Sequence, residues 1–206
     1  MSKTNGDSGS SCKFVHNHQL LGPKKIIITG APGTGKTSVI KALETLKFHC
    51  YHEIIRDMTA KAKNTTTEKE KISNPLVLVN DPMAFNSALL HGRKEQYRGA
   101  SHLNRKICFF DRGVPDVLAY MDYFEQTYPA EFETICKECQ YDAVFILPPW
   151  KEIYKSDNER LESFEEARDL HLYLTQTYEH FGYQPILMPL CSVKERAQFV
   201  INNIKK

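Results

Sequence analysis

Residues Lys24 to Leu46, KKIIITGAPGTGKTSVIKALETL, leave the chain few architectures to choose from. Ile26, Ile27 and Ile28 form a β-branched run of the kind that makes a fully buried parallel strand. The run enters Gly30-Ala31-Pro32-Gly33-Thr34-Gly35-Lys36-Thr37, which satisfies G-x-x-x-x-G-K-[ST]. Beyond Ser38, Val39, Ile40, Leu43 and Leu46 fall on one helical face. Strand, glycine loop and helix thus follow in the order a phosphate-binding loop requires. Glycines without a Cβ let backbone N–H groups curl toward phosphate oxygens, and the helix start adds its unsatisfied N–H groups and positive dipole end. Gly30 through Ser38 are therefore the expected nucleotide cradle. Lys36 is expected on the β- and γ-phosphates, and the Thr37 hydroxyl on Mg²⁺.

The rest of the chain reads as alternating strands and helices. The first half of Phe48 to Asp57 is expected as a second strand, with Glu53 near its carboxyl end and Arg56 in the turn or helix beyond. Ligands of open α/β sheets sit outside the carboxyl ends of strands. Glu53 is then a substrate or magnesium-water ligand, or a surface carboxylate paired with Arg56. Lys61 to Asn74 is polar, and Pro75 to Arg98 carries a helical pattern with a start or kink at Asn80-Asp81-Pro82. Asp81 and Arg98 lie where a helix could cover a substrate, or are simply solvated.

Ile107 to Asp111 (ICFFD) is the second buried strand signal, delivering Asp111 to the catalytic edge in a Walker B role. The alternative for Asp111 is a helix N-cap, but Pro115 and Asp116 supply the next helix with its own first turn. Arg112 points at substrate or phosphates, or forms a structural ion pair. Cys136 and Cys139 share an apolar stripe with Phe132 and Ile135 and read as core, since no second ligand pair accompanies them. Tyr141 to Leu147 is a further strand, ended by Pro148-Pro149, and Trp150 reads as core. Lys151 to Leu161 is charged; in a kinase it would be a lid, with Arg160 neutralising charge in transit. Ser163 and Glu166 form a capping box opening a helix that Gly182 stops. Gln184 to Leu190 is a last strand, and Val193, Ala197, Val200, Ile201 and Ile204 form the inner face of a last helix that ends in Lys205 and Lys206.

This pattern gives an α/β fold: a three-layer, mostly parallel five-stranded sheet with helices on both faces, kinase-like with a lid. Residues 1–22 read as a disordered or weakly docked tail and 23–206 as one P-loop domain. The net charge of +2 carries no long basic run, which argues against a nucleic-acid partner. No apolar run reaches the roughly 20 residues of a membrane span. Six cysteines without a secretion signal suggest reduced thiols in a cytoplasmic setting. No Asn-Lys-x-Asp motif reads a guanine base, and Asp111-Arg112-Gly113 has the wrong spacing for a GTPase. A motor ATPase would carry Asp-Glu where this strand ends in Asp-Arg.

Together, GAPGTGKT, Glu53 with Arg56, FFDRG and the DNER stretch resemble the small-molecule P-loop kinases. More closely, they resemble the ATPase/kinase family that includes the ribosylnicotinamide-kinase domain of bacterial NAD regulators. The resemblance spans about Lys24 to Lys205. It implies that Asp111 assists magnesium or the attacking hydroxyl and that Arg160 meets the transferring phosphoryl group. It further implies ATP and Mg²⁺ as cofactors and a nucleoside-like or other small metabolite as acceptor. Gly113 departs from the Ser or Tyr common after Asp-Arg in nucleoside kinases, which leaves the acceptor open. Glu53 and Asp111 both remain candidates for the catalytic base. A slow ATPase acting as a switch on a protein partner is the competing class.

Overall fold

The computed structural model describes residues 22–55, 81–154 and 163–204. Five strands run β1 (Lys24–Gly30), β2 (His49–Tyr51), β3 (Ile107–Asp111), β4 (Ala143–Leu147) and β5 (Ile186–Leu187). Between and after them lie α1 (Lys36–Thr45), α2 (Pro82–Ala100), α3 (Pro115–Tyr123), α4 (Ala130–Glu138), α5 (Phe164–His180) and α6 (Val193–Ile204). The sheet order is β2-β3-β1-β4-β5, and every described pairing is parallel. This is the expected α/β architecture.

The isoleucine run explains the position of β1. Successive side chains of a strand point to opposite faces, so a run without polar breaks suits only a strand covered on both sides. Ile27 packs into one core with Phe110, Val144 and residues of α2, α3 and α4. Ile26 and Ile28 pack into the other with Phe109, Phe145 and residues of α1 and α6. A third cluster joins Ile146 and Ala119 to Leu170 and Leu174 of α5. β1 pairs with β3 on one side and β4 on the other, with Ile28 opposite both Asp111 and Phe145. The crevice at its carboxyl end is where the strand order turns, the place such sheets bind ligands.

Helix boundaries follow the local chemistry. The Asp81 carboxylate accepts from the Ala84 N–H at 2.9 Å, and Pro82 occupies the first turn, so the expected helix begins at Pro82 within the 75–98 stretch and extends to Ala100. Ser163 and Glu166 form the expected capping box, and Gly182 at φ +84° ends α5. Two strands are shorter than the hydrophobic runs suggested. β5 keeps only Ile186 and Leu187, because Pro185 and Pro189 lack the N–H groups that would extend its ladder. β2 keeps only His49 to Tyr51 and lies at the sheet's edge. Cys136 and Cys139 are buried free thiols, as expected of core residues. Residues 1–21, Arg56 and most of the stretch read as a lid, Arg160 included, lie outside the described residues. No described helix is long and apolar enough to cross a membrane.

Candidate active site

The loop after β1 owes its shape to positive backbone angles at Gly30, Gly33 and Gly35. At Gly30 a second constraint applies: a methyl group there would sit 2.6 Å from the Leu147 carbonyl oxygen. Gly35 is the residue before α1 and has no capping side chain, so the helix start presents backbone rather than a carboxylate. Two loop carbonyls are held by donors. The Ala31 oxygen accepts from the Thr34 hydroxyl and from Lys36 Nζ, each at 2.9 Å, and the Thr34 oxygen accepts from Arg196 Nη1 at 3.0 Å.

Lys36 is 9% exposed, and burial, reinforced by the nearby Arg112 guanidinium, brings its pKa down to about 7. An ammonium so far from water is a site for an anion: phosphate oxygens alongside would restore its charge. Asp111 ends β3 and is also buried. Burial pushes its carboxyl above the usual range, against the pull of Lys36. Among the described residues its carboxylate has no hydrogen-bond partner.

Beside this pair lies a connected set of charges from four separate segments, of which Arg93, Arg112 and Asp116 are buried and Glu53 is partly buried. Glu53, just past β2, takes Arg93 Nη2 from α2 on both oxygens at 3.0 and 3.1 Å, and Arg112 Nε at 2.7 Å. Arg112, which lies one residue past β3 at φ +75°, also donates Nη1 to Asp116 Oδ1 at 3.1 Å and packs over the Tyr120 ring. Asp116 is wholly buried on α3. It accepts from the Thr29 hydroxyl, the Tyr178 hydroxyl of α5 and, at 2.9 Å, the Gly113 N–H. Arg93 Nη1 donates to the Gly113 carbonyl at 3.1 Å, which closes the ring. Burial alone would protonate Asp116, but Arg112 and then Arg93, with the Thr29 and Tyr178 hydroxyls, outweigh it and hold its carboxyl below the usual range. Burial likewise opposes the charge on Arg112, which Tyr120, Glu53 and Asp116 more than restore.

The structure therefore brings Lys36, Thr37, Glu53, Asp111 and Arg112 to one edge of the sheet. Glu53 is ion-paired, with Arg93 and Arg112 as its described partners, and Arg112 takes the ion-pair role that was one of its two readings. Asp81 is an exposed helix cap, and Arg98 is an exposed residue paired with Glu95 at 3.2 Å. Sequence reasoning missed Arg93, Asp116, Tyr178 and Arg196. Arg93 interrupts the apolar face of α2 between Leu89, Leu90 and Ala100, and Asp116 sits in an otherwise apolar first turn. A charge on a core-facing position was the available signal.

Mg²⁺ fits this donor set only as a shared ion. No group of three or more His, Cys, Asp or Glu among the described residues could hold a metal alone. Mg²⁺ commonly takes one or two carboxylates, waters and substrate phosphates, which suits Thr37 and Asp111 beside a phosphate loop.

A glycine loop between a central parallel strand and a helix, with an aspartate at the tip of the neighbouring strand, defines a P-loop protein of the α/β kinase-like fold. The chain belongs to the AAA domain family, whose model matches residues 25–196. No curated protein matches it in sequence. Solved structures of similar fold include the NadR protein in complex with NR, with a TM-score of 0.64 and 18% identity over 88% of this chain and 51% of that one. A deoxyadenosine kinase from M. mycoides gives 0.59 and 16%, covering 88% and 98% of the two chains. Thymidylate kinase from Ehrlichia chaffeensis gives 0.57 and 14%, covering 90% and 100%. This chain spans about half the length of NadR and nearly all of the two kinases.

Proposed function

We propose that the chain transfers the terminal phosphoryl group of ATP, bound with Mg²⁺, to a hydroxyl of a small nucleoside-like metabolite. The observation that carries this reading is the division of labour between the two carboxylates. Glu53 is held in place by two guanidinium groups, while Asp111, level with Ile28 at the loop's root, feels the charge of Lys36 but makes no hydrogen bond to a described side chain. Asp111 and the Thr37 hydroxyl would hold the metal side. Mg²⁺ supplies charge neutralisation on the phosphate oxygens when bound. Glu53 orients the acceptor hydroxyl and takes its proton late. Little base strength is asked of this carboxylate, because the transition state of phosphoryl transfer is loose. Loop amides and Lys36 spread the charge of the group in transit, with Arg160 as the expected further cation. The kinase-like neighbours support the reading, as does the NadR structure that holds NAD and AMP-PNP.

Incubation with γ-labelled ATP and a panel of nucleosides and related metabolites tests the proposal. Label appearing on one small molecule is the expected result. Label appearing only as inorganic phosphate, at a rate no acceptor changes, would overturn transfer in favour of an ATPase switch.

A further inference from the structure

Arg196 is a core residue with an unusual position. It lies on α6, 162 residues after Thr34 in sequence, and is 5% exposed, yet among the described residues it pairs with no carboxylate. Its Nε donates to the Cys191 carbonyl at 2.9 Å, its Nη1 donates to the Thr34 carbonyl at 3.0 Å, and its guanidinium lies 5.3 Å from the centre of the Trp150 ring. Contacts from three separate segments, the loop among them, thus hold a single planar cation against the Thr34 carbonyl. The approach is close: a Cβ on Gly35 would come within 3.2 Å of Nη1, and the guanidinium would have to give by a few tenths of an ångström.

The consequence follows from the geometry of one peptide bond. In a trans peptide the carbonyl oxygen of Thr34 and the N–H of Gly35 point in opposite directions within one plane. No cis peptide is present among the described residues. A donor that anchors the Thr34 oxygen on the α6 side turns the Gly35 N–H to the other side. Glycine at positive φ has little intrinsic preference to keep that peptide in one orientation, so the anchor has an orientation to choose. On the same loop, Lys36 and the Thr34 hydroxyl hold the Ala31 oxygen, but Pro32 follows and has no N–H to aim. The Thr34–Gly35 peptide is where an external clamp changes what the loop offers an anion.

We infer that Arg196 is a positioning residue of the phosphate loop, holding the Thr34–Gly35 peptide in the orientation that presents its N–H to a polyphosphate. The inference rests on the reading of this loop as the phosphate site and does not depend on phosphoryl transfer. Trp150 and the Cys191 carbonyl restrain the guanidinium in turn, so α6 takes part in phosphate binding without touching the ligand.

Calorimetric titration of the full chain with ATP and with inorganic tripolyphosphate tests it. Arg196→Met keeps the stem and removes the donors, and should weaken both ligands alike by about tenfold. Arg196→Lys keeps the charge without the two-headed fork and should recover part of that loss, about threefold weaker than wild type. It also serves if the methionine variant does not fold, a point far-UV circular dichroism decides. Wild-type affinity for tripolyphosphate in the folded methionine variant, or in the lysine variant where that one fails, would overturn the inference. A loss confined to ATP would do the same, since it would make Arg196 a contact of the base or sugar. Parallel tenfold losses in a protein that moves no label to any acceptor would uphold the clamp while removing the transfer reaction.

Discussion

The phosphate loop and the buried ring of charges beside it solve the same problem, placing polar groups accurately in a dry sheet edge, by opposite means. The loop is one contiguous segment whose shape comes from glycine backbone freedom, with hydrogen bonds mostly inside itself. The ring is assembled from the ends of β2 and β3, from α2 and α3, and from Tyr178 of α5, and its shape comes from ion pairs. A local device can lose a functional group without losing the fold. A dispersed device holds the helices to the sheet as well as the chemistry, so injury to it falls on stability first. Buried ion pairs are costly to break because the surviving partner is stranded away from water.

That contrast can be broken at four positions. Lys36→Ala should have the largest effect, lowering phosphoryl transfer by about 10³-fold or more with an unchanged circular dichroism spectrum. Normal turnover in this variant would remove the loop from the site. Asp116→Ala should act in the opposite sense, lowering unfolding free energy by about 3–5 kcal/mol in urea titration by leaving Arg112 without its buried partner. The sign of its pH dependence is fixed by the depressed carboxyl. Asp116 contributes stability that is complete above its unfolded pKa of about 3.9 and is lost as pH falls through the lower folded value. The isosteric Asp116→Asn should therefore flatten the acid limb of the stability curve below about pH 4. Unaltered acid stability would show that the ring carries no linkage.

Gly113→Ala is a smaller and sharper test. A methyl group there meets Ile27 Cδ1 at 2.3 Å and the Tyr178 hydroxyl at 2.7 Å, so it wedges the core and the ring together. The expected loss is about 1–3 kcal/mol of stability by chemical denaturation. Asp81→Ala should cost only about 1 kcal/mol, the value of a helix cap, and leave transfer kinetics untouched. A raised acceptor KM in that variant would return Asp81 to the substrate site.

What could be read from the chain beforehand divides along the same line. The loop's place and form were legible because they are written in eight consecutive residues, and the place of Asp111 at the end of β3 because an apolar run ends on it. The cap at Ser163 and the stop at Gly182 were legible for the same local reason. Arg93, Asp116, Tyr178 and Arg196 were not, since each gains its meaning from a partner brought near by folding, across separations of 40 residues between Arg93 and Glu53 and 62 between Tyr178 and Asp116. Glu53 shows both sides of this. Its place past β2 could be expected, but its described arginine partners come from α2 and from the end of β3. Arg112 took the ion-pair alternative because Asp116, one helical turn further on, sits wholly buried beside it.

The placement of β1 has a mechanical corollary. Its isoleucines are gripped by both helical layers, and its backbone is bonded to a strand on either side. A beam built in along both edges cannot bend at its end without prising the whole sheet apart. The tip that carries Gly30 is accordingly the anvil of the molecule. Hydrogen exchange at this tip is expected to follow global unfolding, so that a partner brings its own adjustment to meet it.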